Sequence, residues 1–513
     1  MLSQEVDRLK AVVEALQTEK SRLEQTIIAE REHSEGEIPD FEQSDGLSDI
    51  RDQRESGFLA SLAQYSSNVE ILLGSVKQSL QKDSAPNEGI SVNVYEHINQ
   101  DVRAIVASLV LFLRRPHSYK ELLACRGTEA QRLLDLLQDL LDLDSFSVVR
   151  PLLLQALLRL SRASGLHPRC FVLPDLQKIG QQVAAGGFGD IWKGLRVCGQ
   201  TVSVKIMRIF RDSHVEGALK EFGREAVIWR QLCHPNLLPF FGLYRLDNRL
   251  CLISPWMESG NIVEFLDKEP PDIDRRLSLI LDVALGLQYL HENNVVHGDL
   301  KGLNILVTPS GGACISDFGL SSVANAITFR FTHSTPSVRG GTARYQAPEL
   351  FNDENPSEPH FGSDVYAFAL VCYQVTLGLS IFLLNRKNNA TTKILTGKVP
   401  FHELPNDMAV MMKVSRGCRP SRPSTCSGTT ALDGLWELIQ SCWQGAAERR
   451  PTVSQIVIRL VGPAIVASPT SGATDRNDEF TSKFRRSLQA QPLLPSVDQL
   501  ERIIFGDSAV EGG

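Results

Sequence analysis

Apolar residues at Leu2, Val6, Leu9, Val13, Leu16, Leu23 and Ile27 open the chain with alternating spacings of three and four, with Lys20 the one polar residue on that seam. This spacing lays a narrow stripe along a helix and predicts a short coiled coil over residues 1–31, which implies a second copy of the chain or another coiled-coil partner. A single amphipathic helix packed on the rest of the protein is the plainer alternative. Residues 32–57 turn acidic and polar, cannot bury a core, and read as a linker. From 58 to 166 apolar residues return at helical spacing, most clearly in the run QRLLDLLQDLL, so several packed helices are expected. Nothing in that region carries chemistry, and its Leu-rich stripe reads as core with a scaffolding or regulatory role. Strand-like runs follow, one leading to Val183 and one at Val202-Ser203-Val204-Lys205. Residues 461–513 mix Pro, Ser and charge around one amphipathic stretch, VDQLERIIF, and read as a mostly disordered tail.

Composition narrows the class. A chain of 513 residues with 42% apolar and 22% charged residues is that of a soluble globular protein with two or three units. A formal net charge of -7 argues against a nucleic-acid-binding surface as the chain's main business. The ten cysteines contain no CxxC pair and read as reduced thiols. The polar start lacks the apolar core of a signal peptide, and the longest apolar stretch, Ala104 to Leu113, falls short of the about 20 residues a bilayer span needs. The expectation is a cytoplasmic protein with no membrane span.

The chemistry lies between these regions. Ala184-Ala185-Gly186-Gly187-Phe188-Gly189-Asp190-Ile191 is a glycine-rich turn after a strand, and such turns let a backbone approach phosphates where a Cβ would block it. Alone it is a weak signal. The lysine of the next strand, Lys205, follows at the distance expected if that turn covers a nucleotide, and the helical run Glu221 to Leu232 offers Glu225 as an anionic partner for it. The decisive run is His297-Gly298-Asp299-Leu300-Lys301-Gly302-Leu303-Asn304-Ile305-Leu306, followed by Ile315-Ser316-Asp317-Phe318-Gly319. Phosphoryl transfer needs a carboxylate to orient and deprotonate a hydroxyl, and oxygen ligands for Mg²⁺. Asp299, Asn304 and Asp317 have those types in that order. Any one of them could be a cap or a turn residue, but the joint pattern is very improbable by chance.

These residues resemble the protein-kinase signature set, and the chain from Leu173 to Leu460 resembles the tyrosine-kinase-like group of protein kinases. The resemblance implies an α+β, two-lobed protein kinase fold, with an antiparallel β small lobe and a helical large lobe, preceded here by the helical region and coiled coil. It implies ATP and Mg²⁺ as cofactors, a protein substrate, and transfer to serine or threonine, since Lys301 and Thr342 match that type of catalytic loop and segment. By resemblance Asp299 is the catalytic base and Lys301 the γ-phosphate contact, with Asn304 and Asp317 as Mg²⁺ ligands. ATP would be held by Ala184, Gly186, Gly187, Phe188, Gly189, Ile191, Ser203, Lys205 with its partner Glu225, and Leu306. Ser254 would be the gatekeeper, and Pro255, Trp256 and Met257 the hinge. Glu349 of the run Gly341 to Glu349 would form a buried ion pair with Arg450. The alternative class is an ATP-binding signalling scaffold, weakly active or inactive, that works through its helical and coiled-coil regions.

Four departures stand out. Ala184 replaces the first glycine of the loop, and Ser203 replaces the alanine that packs on adenine. Gly298 replaces an arginine that a phosphorylated activation segment often neutralises, which points to regulation through assembly, although Thr332, Ser334, Thr335 and Ser337 remain candidate phosphorylation sites. Residues 375–393 interrupt a buried helix where the family pattern runs on into Leu395-Thr396-Gly397, a local conflict. They read as a translated intron, with a genuine surface loop leaving the end of that helix as the alternative.

Overall fold

The computed structural model describes residues 106–470 apart from 107–108, 111, 143–148, 174–175, 186–188, 197–198, 208–214, 247–248, 269–270, 319–321, 324–342, 352–358, 388–399, 405 and 423–428. The expected coiled coil (1–31), the acidic linker and the glycine-rich turn at 186–188 therefore lie outside the described residues. The chain divides into two compact units at Val172 and Leu173.

The described part of the first unit is helical and includes α1 (Pro116–Ala124), α2 (Gly127–Leu141) and α3 (Arg150–Ser164). Every residue of α2 from Leu133 to Leu141 is buried, so this helix is enclosed on all sides rather than along one stripe. Enclosure forces its polar residues to find partners: Asp135 accepts from the Arg169 backbone at 2.7 Å and from Arg169 Nε at 2.6 Å. Gly165, at φ 70°, ends α3 in the left-handed conformation that glycine adopts without strain.

The second unit opens with a five-stranded antiparallel sheet in the order β1-β2-β3-β5-β4. Its strands are β1 (Leu176–Ala185), β2 (Gly189–Arg196), β3 (Thr201–Met207), β4 (Gly242–Leu246) and β5 (Arg249–Pro255). Strict alternation in β3 explains its placement. Val202, Val204 and Ile206 bury against Leu173, Leu176, Phe241, Cys251 and Ile253, which turns Ser203 and Lys205 to the opposite face. One long helix, α4 (Val215–Arg230), belongs to this lobe.

The large lobe is helical. It comprises α5 (Ile262–Lys268), α6 (Ile273–Glu292), α7 (Phe361–Lys387), α8 (Asp407–Ser415), α9 (Thr430–Cys442) and α10 (Val453–Val461). Asp272 caps α6 by accepting from the Arg275 backbone at 2.9 Å, and Thr452 with Gln455 forms a reciprocal capping box on α10. Two short ladders are packed into the lobe, with β6, β7 and β8 buried except at Leu306: β6 (Val295–Val296) with β9 (Ser322–Val323), and β7 (Ile305–Val307) with β8 (Ala313–Ile315).

The structure differs from two sequence expectations. Helix α7 does not end at Val375 but runs on to Lys387, so the first part of the interrupting segment extends the helix instead of leaving it as an irregular loop. No proline interrupts residues 376–387, so nothing in the backbone forces the helix to end at Val375. The tail, read as disordered from 461, is ordered and packed through Thr470, with Ile465, Ala467 and Thr470 all buried. Its Pro and Ser suggested a solvated chain, but alternate residues are small or apolar and fit against the large lobe.

Candidate active site

Lys205 leaves the pocket face of β3 and donates to Glu225 Oε1 of α4 at 2.7 Å and to Asp317 Oδ1 at 2.9 Å. Burial by itself pushes the ammonium toward neutrality, but Asp317 and Glu225 outweigh it and raise its pKa. Burial likewise pushes the Glu225 carboxyl up, with Lys205 opposing. For Asp317 burial is overcome by the Lys205 ammonium, assisted by Lys301, and its pKa falls to about 2. Asp317 is 34% exposed while Glu225 is 3% exposed, so one of the two carboxylates faces the cleft.

The β1–β2 hairpin lies over this lysine. Ile191 is opposite Lys205 in one register and opposite Ala184 in the other, and the hairpin resumes at Gly189 after the undescribed turn. Ser254 stands opposite Ser203, and Pro255 opposite Val202, so Ser254 and Ser203 share one face of the sheet. The Trp256 backbone N–H donates to the Thr201 carbonyl at 3.4 Å, and buried Met257 accepts from Gly260 at 3.1 Å. Lys193 of β2 reaches across to Glu258 at 2.9 Å and lies 5.2 Å from the Trp256 ring, tying the hairpin to the hinge.

Below, Lys301 Nζ donates to Asp299 Oδ2 at 2.7 Å. Asn304 donates through Nδ2 to the Asp299 carbonyl at 2.9 Å and to Asp299 Oδ2 at 3.3 Å, while its own carbonyl accepts from the Ser316 backbone at 2.8 Å. Asp299, Lys301, Asn304 and Asp317 are thereby brought to one cleft. Leu306 follows on β7, bridged to Asn261 beside the hinge. Phe318 turns inward, with ring centroids 5.5 Å from Trp229 and 5.7 Å from His297. Gly319 lies outside the described residues.

Asp364, on the buried face of α7, organises this loop. It accepts from the backbones of His297 at 2.8 Å and Gly298 at 2.9 Å, and pairs with His291 at 3.0 Å. Burial would raise its carboxyl, but the His291 contact and these donors hold it low. A carboxylate inside a long apolar helix is itself a signal that donors must be found for it. Gly298 sits at φ 78°, a backbone that side-chain-bearing residues adopt only with strain, so the glycine suits the turn as well as removing the arginine. Gly302 is needed for another reason: an added Cβ would collide with Gln374 and lie 2.9 Å from Val263.

Arg344 was missed entirely. It donates to the carbonyls of Pro400 at 3.1 Å, Phe401 at 2.6 Å and Leu404 at 3.2 Å and pairs with Asp407 at 3.1 Å, joining the segment before Glu349 to α8. Glu349 and Arg450 form the expected ion pair, at 2.6 and 2.8 Å through both guanidinium nitrogens.

A five-stranded sheet over a helical lobe, with a paired strand lysine above and the Asp299 loop below, is the arrangement of the two-lobed protein kinases. The family described as protein tyrosine and serine/threonine kinase matches residues 177–460, more than half of the chain, and the chain belongs to it. It is similar to serine/threonine-protein kinase STY46 of Arabidopsis thaliana, 29% identical over 286 residues that cover 55% of this chain and 43% of that one. Serine/threonine-protein kinase STY17 of the same plant is 30% identical over 285 residues, 55% and 44%. Serine/threonine/tyrosine-protein kinase HT1, also from Arabidopsis thaliana, is 28% identical over 291 residues, 55% and 65%. The match spans less than half the length of the first two relatives. The tyrosine-kinase-like placement fits these relatives. Among the described residues no helix is long and apolar enough to cross a membrane.

Proposed function

We propose that the protein transfers the γ-phosphoryl group of ATP to serine or threonine hydroxyls of other proteins. The observation that carries this is the joint assembly of Lys205, Glu225 and Asp317 with Asp299, Lys301 and Asn304 in one cleft. Asp299 is the group that orients the acceptor hydroxyl and takes its proton, and its bond to Lys301 places a cation beside the developing charge. Lys205, held charged by two carboxylates, is the cationic guide for the α- and β-phosphates. Ser203, Ser254, Pro255, Trp256, Met257, Ile191 and Leu306 would line the adenine site, with the 184–189 turn above the phosphates.

Mg²⁺ fits the oxygens present. Asp317 stays ionised and one-third exposed, and Asn304 makes its described bonds to Asp299 through Nδ2, which keeps Oδ1 as an oxygen donor. Two protein oxygens suit an ion that retains water and substrate phosphates as its other ligands. When bound, Mg²⁺ supplies charge neutralisation on the phosphates. Serine/threonine preference is supported by Lys301 and by the names of the relatives. The coiled-coil pattern of 1–31 supports pairing with a second copy.

The test is purified full-length protein with Mg²⁺ and labelled ATP, beside Asp317→Ala. Phosphorylation of itself or a general protein substrate should vanish in the variant. Stabilisation by ATP without any turnover would instead make the protein a nucleotide-binding scaffold.

A further inference from the structure

The hairpin β7–β8 carries the two proposed cation ligands at its open end, Asn304 just before β7 and Asp317 just after β8. That end is closed by Ser316, whose backbone and hydroxyl both donate to the Asn304 carbonyl, at 2.8 and 2.9 Å. The other end is the tight turn from Thr308 to Gly312, in which Gly311 takes φ 81°. A short two-stranded ladder is marginal by itself, so whatever fixes the turn end also fixes where the ligand end points.

The turn end is fixed by a carboxylate from another element. Asp282 of α6, 1% exposed, accepts from the Ala313 backbone at 3.0 Å at the start of β8. The same oxygen, Oδ2, accepts from the Thr470 hydroxyl at 2.8 Å, and Oδ1 lies 3.5 Å from the Thr470 backbone nitrogen. Thr470 lies against the turn as well, since a Cβ on Gly312 would stand 3.1 Å from Asp282 Oδ2 and 3.6 Å from Thr470 Cβ.

Thr470 reaches this position along a built path. After α10 the chain folds back through Ala467, which donates to the Leu460 carbonyl at 2.8 Å. Ile465 passes over α9 at Gly434, where a side chain would stand 3.2 Å from Ile465 and 3.3 Å from Ala464. Val466 adopts φ 59°, a left-handed backbone that a β-branched residue takes only when its neighbours hold it there, and both neighbours, Ile465 and Ala467, are buried. The chain past the last residue of the family match at 460 is thus anchored to the domain through three buried residues, Ile465, Ala467 and Thr470.

We propose that residues 462–470 are a strap belonging to the kinase domain, and that Thr470 is a positioning residue, sharing the buried Asp282 carboxylate with Ala313 to hold the hairpin that presents Asn304 and Asp317. The proposal rests on the kinase reading above. Without the hydroxyl, Asp282 loses one donor inside the protein, where no solvent replaces it, and the turn keeps only its other anchors, Arg275 to the Gly311 carbonyl at 2.7 Å and Asn236 to the Ala313 carbonyl at 2.9 Å.

The experiment measures KM for Mg²⁺·ATP and turnover of full-length wild type, Thr470→Val, Thr470→Ser and Thr470→Asp, with Mg²⁺·ATP-induced thermal stabilisation of each. Thr470→Val should raise the Mg²⁺·ATP KM by about threefold to tenfold, Thr470→Ser should restore it, and Thr470→Asp, which sets a like charge against Asp282, should be worse than Val. Nucleotide-induced stabilisation should weaken in the same order. A Thr470→Val protein that melts earlier yet binds Mg²⁺·ATP like wild type would overturn the positioning role and leave the strap merely structural. Unchanged behaviour in all variants of an active enzyme would overturn it too. Wild type that neither binds nor turns over ATP would remove the kinase reading, and this inference with it.

Discussion

Arg450 and Lys205 are both buried cations facing carboxylates, yet one is saturated and the other is shared. Arg450 holds Glu349 through two nitrogens, and its remaining donors reach the carbonyls of Gly362 at 2.8 Å, Gln444 at 2.9 Å and Gly445 at 3.3 Å. The planar fork has a partner in every direction and lies against the Tyr366 ring at 5.2 Å. Lys205 presents a compact ammonium to Glu225 on one side and to Asp317 on the other, and Asp317 is open to the cleft. A saturated pair can only hold the segment before it to the lobe. A shared one can exchange a partner for a phosphate without leaving a charge stranded, which is what a nucleotide site requires.

The sharpest way to break this comparison is Lys205→Met. It should keep the fold and lower kcat/KM by on the order of 100- to 1,000-fold, because one electrostatic guide of the transition state is lost while the apolar side of β3 is untouched. Wild-type turnover in a folded Lys205→Met protein would leave the shared cation without a role. Arg450→Met should do the reverse. It strands Glu349 and should cost about 3–5 kcal/mol of stability, read as a lower midpoint in denaturant, with the folded fraction still able to bind ATP.

Acid gives the third and smallest effect. Burial raises the Glu349 carboxyl, but the Arg450 and His360 contacts more than reverse that and bring its pKa from 4.5 to about 2. A depressed folded pKa means that the unfolded chain takes up the proton first as pH falls. The stabilisation is therefore complete above about 4.5 and disappears on the way down to about 2, a contribution on the order of 3 kcal/mol at neutral pH. From pH 5 through pH 4 to pH 3 the unfolding midpoint should fall further for wild type than for Glu349→Gln. Parallel losses in the two proteins would show that the pair is not what acid attacks.

What was legible in the sequence was local. His297 to Asn304 and Ser316 to Phe318 are short runs whose residue types already state their chemistry, and the alternation of Val202, Ser203, Val204, Lys205 and Ile206 already says which side chains face the cleft. Glu225 could be paired with Lys205 because helix spacing leaves few acidic residues to choose from. Arg344, Asp282 and Thr470 were illegible for the opposite reason. Each is an ordinary residue type in an unremarkable stretch, and the partner of Thr470 lies 188 positions away. Residues 462–470, at the start of the stretch read as mostly disordered, were illegible because Pro and Ser signal solvation only where no surface exists to receive them, and here Gly434 and Gly312 leave room for them.

The sequence by itself determined the identity of the chemical groups and their order along the chain, because residue type and periodicity are properties of neighbours, and its resemblance to the kinases implied the two-lobed class. The tertiary structure alone decided that Asp317 is the open carboxylate of the lysine site and Glu225 the closed one, that Asp364 suspends the loop bearing Asp299, and that the chain past Leu460 returns to cap Asp282. Those outcomes depend on burial, which sets the cost of a charge and the need for a donor, and burial exists only once segments far apart in the chain have packed together.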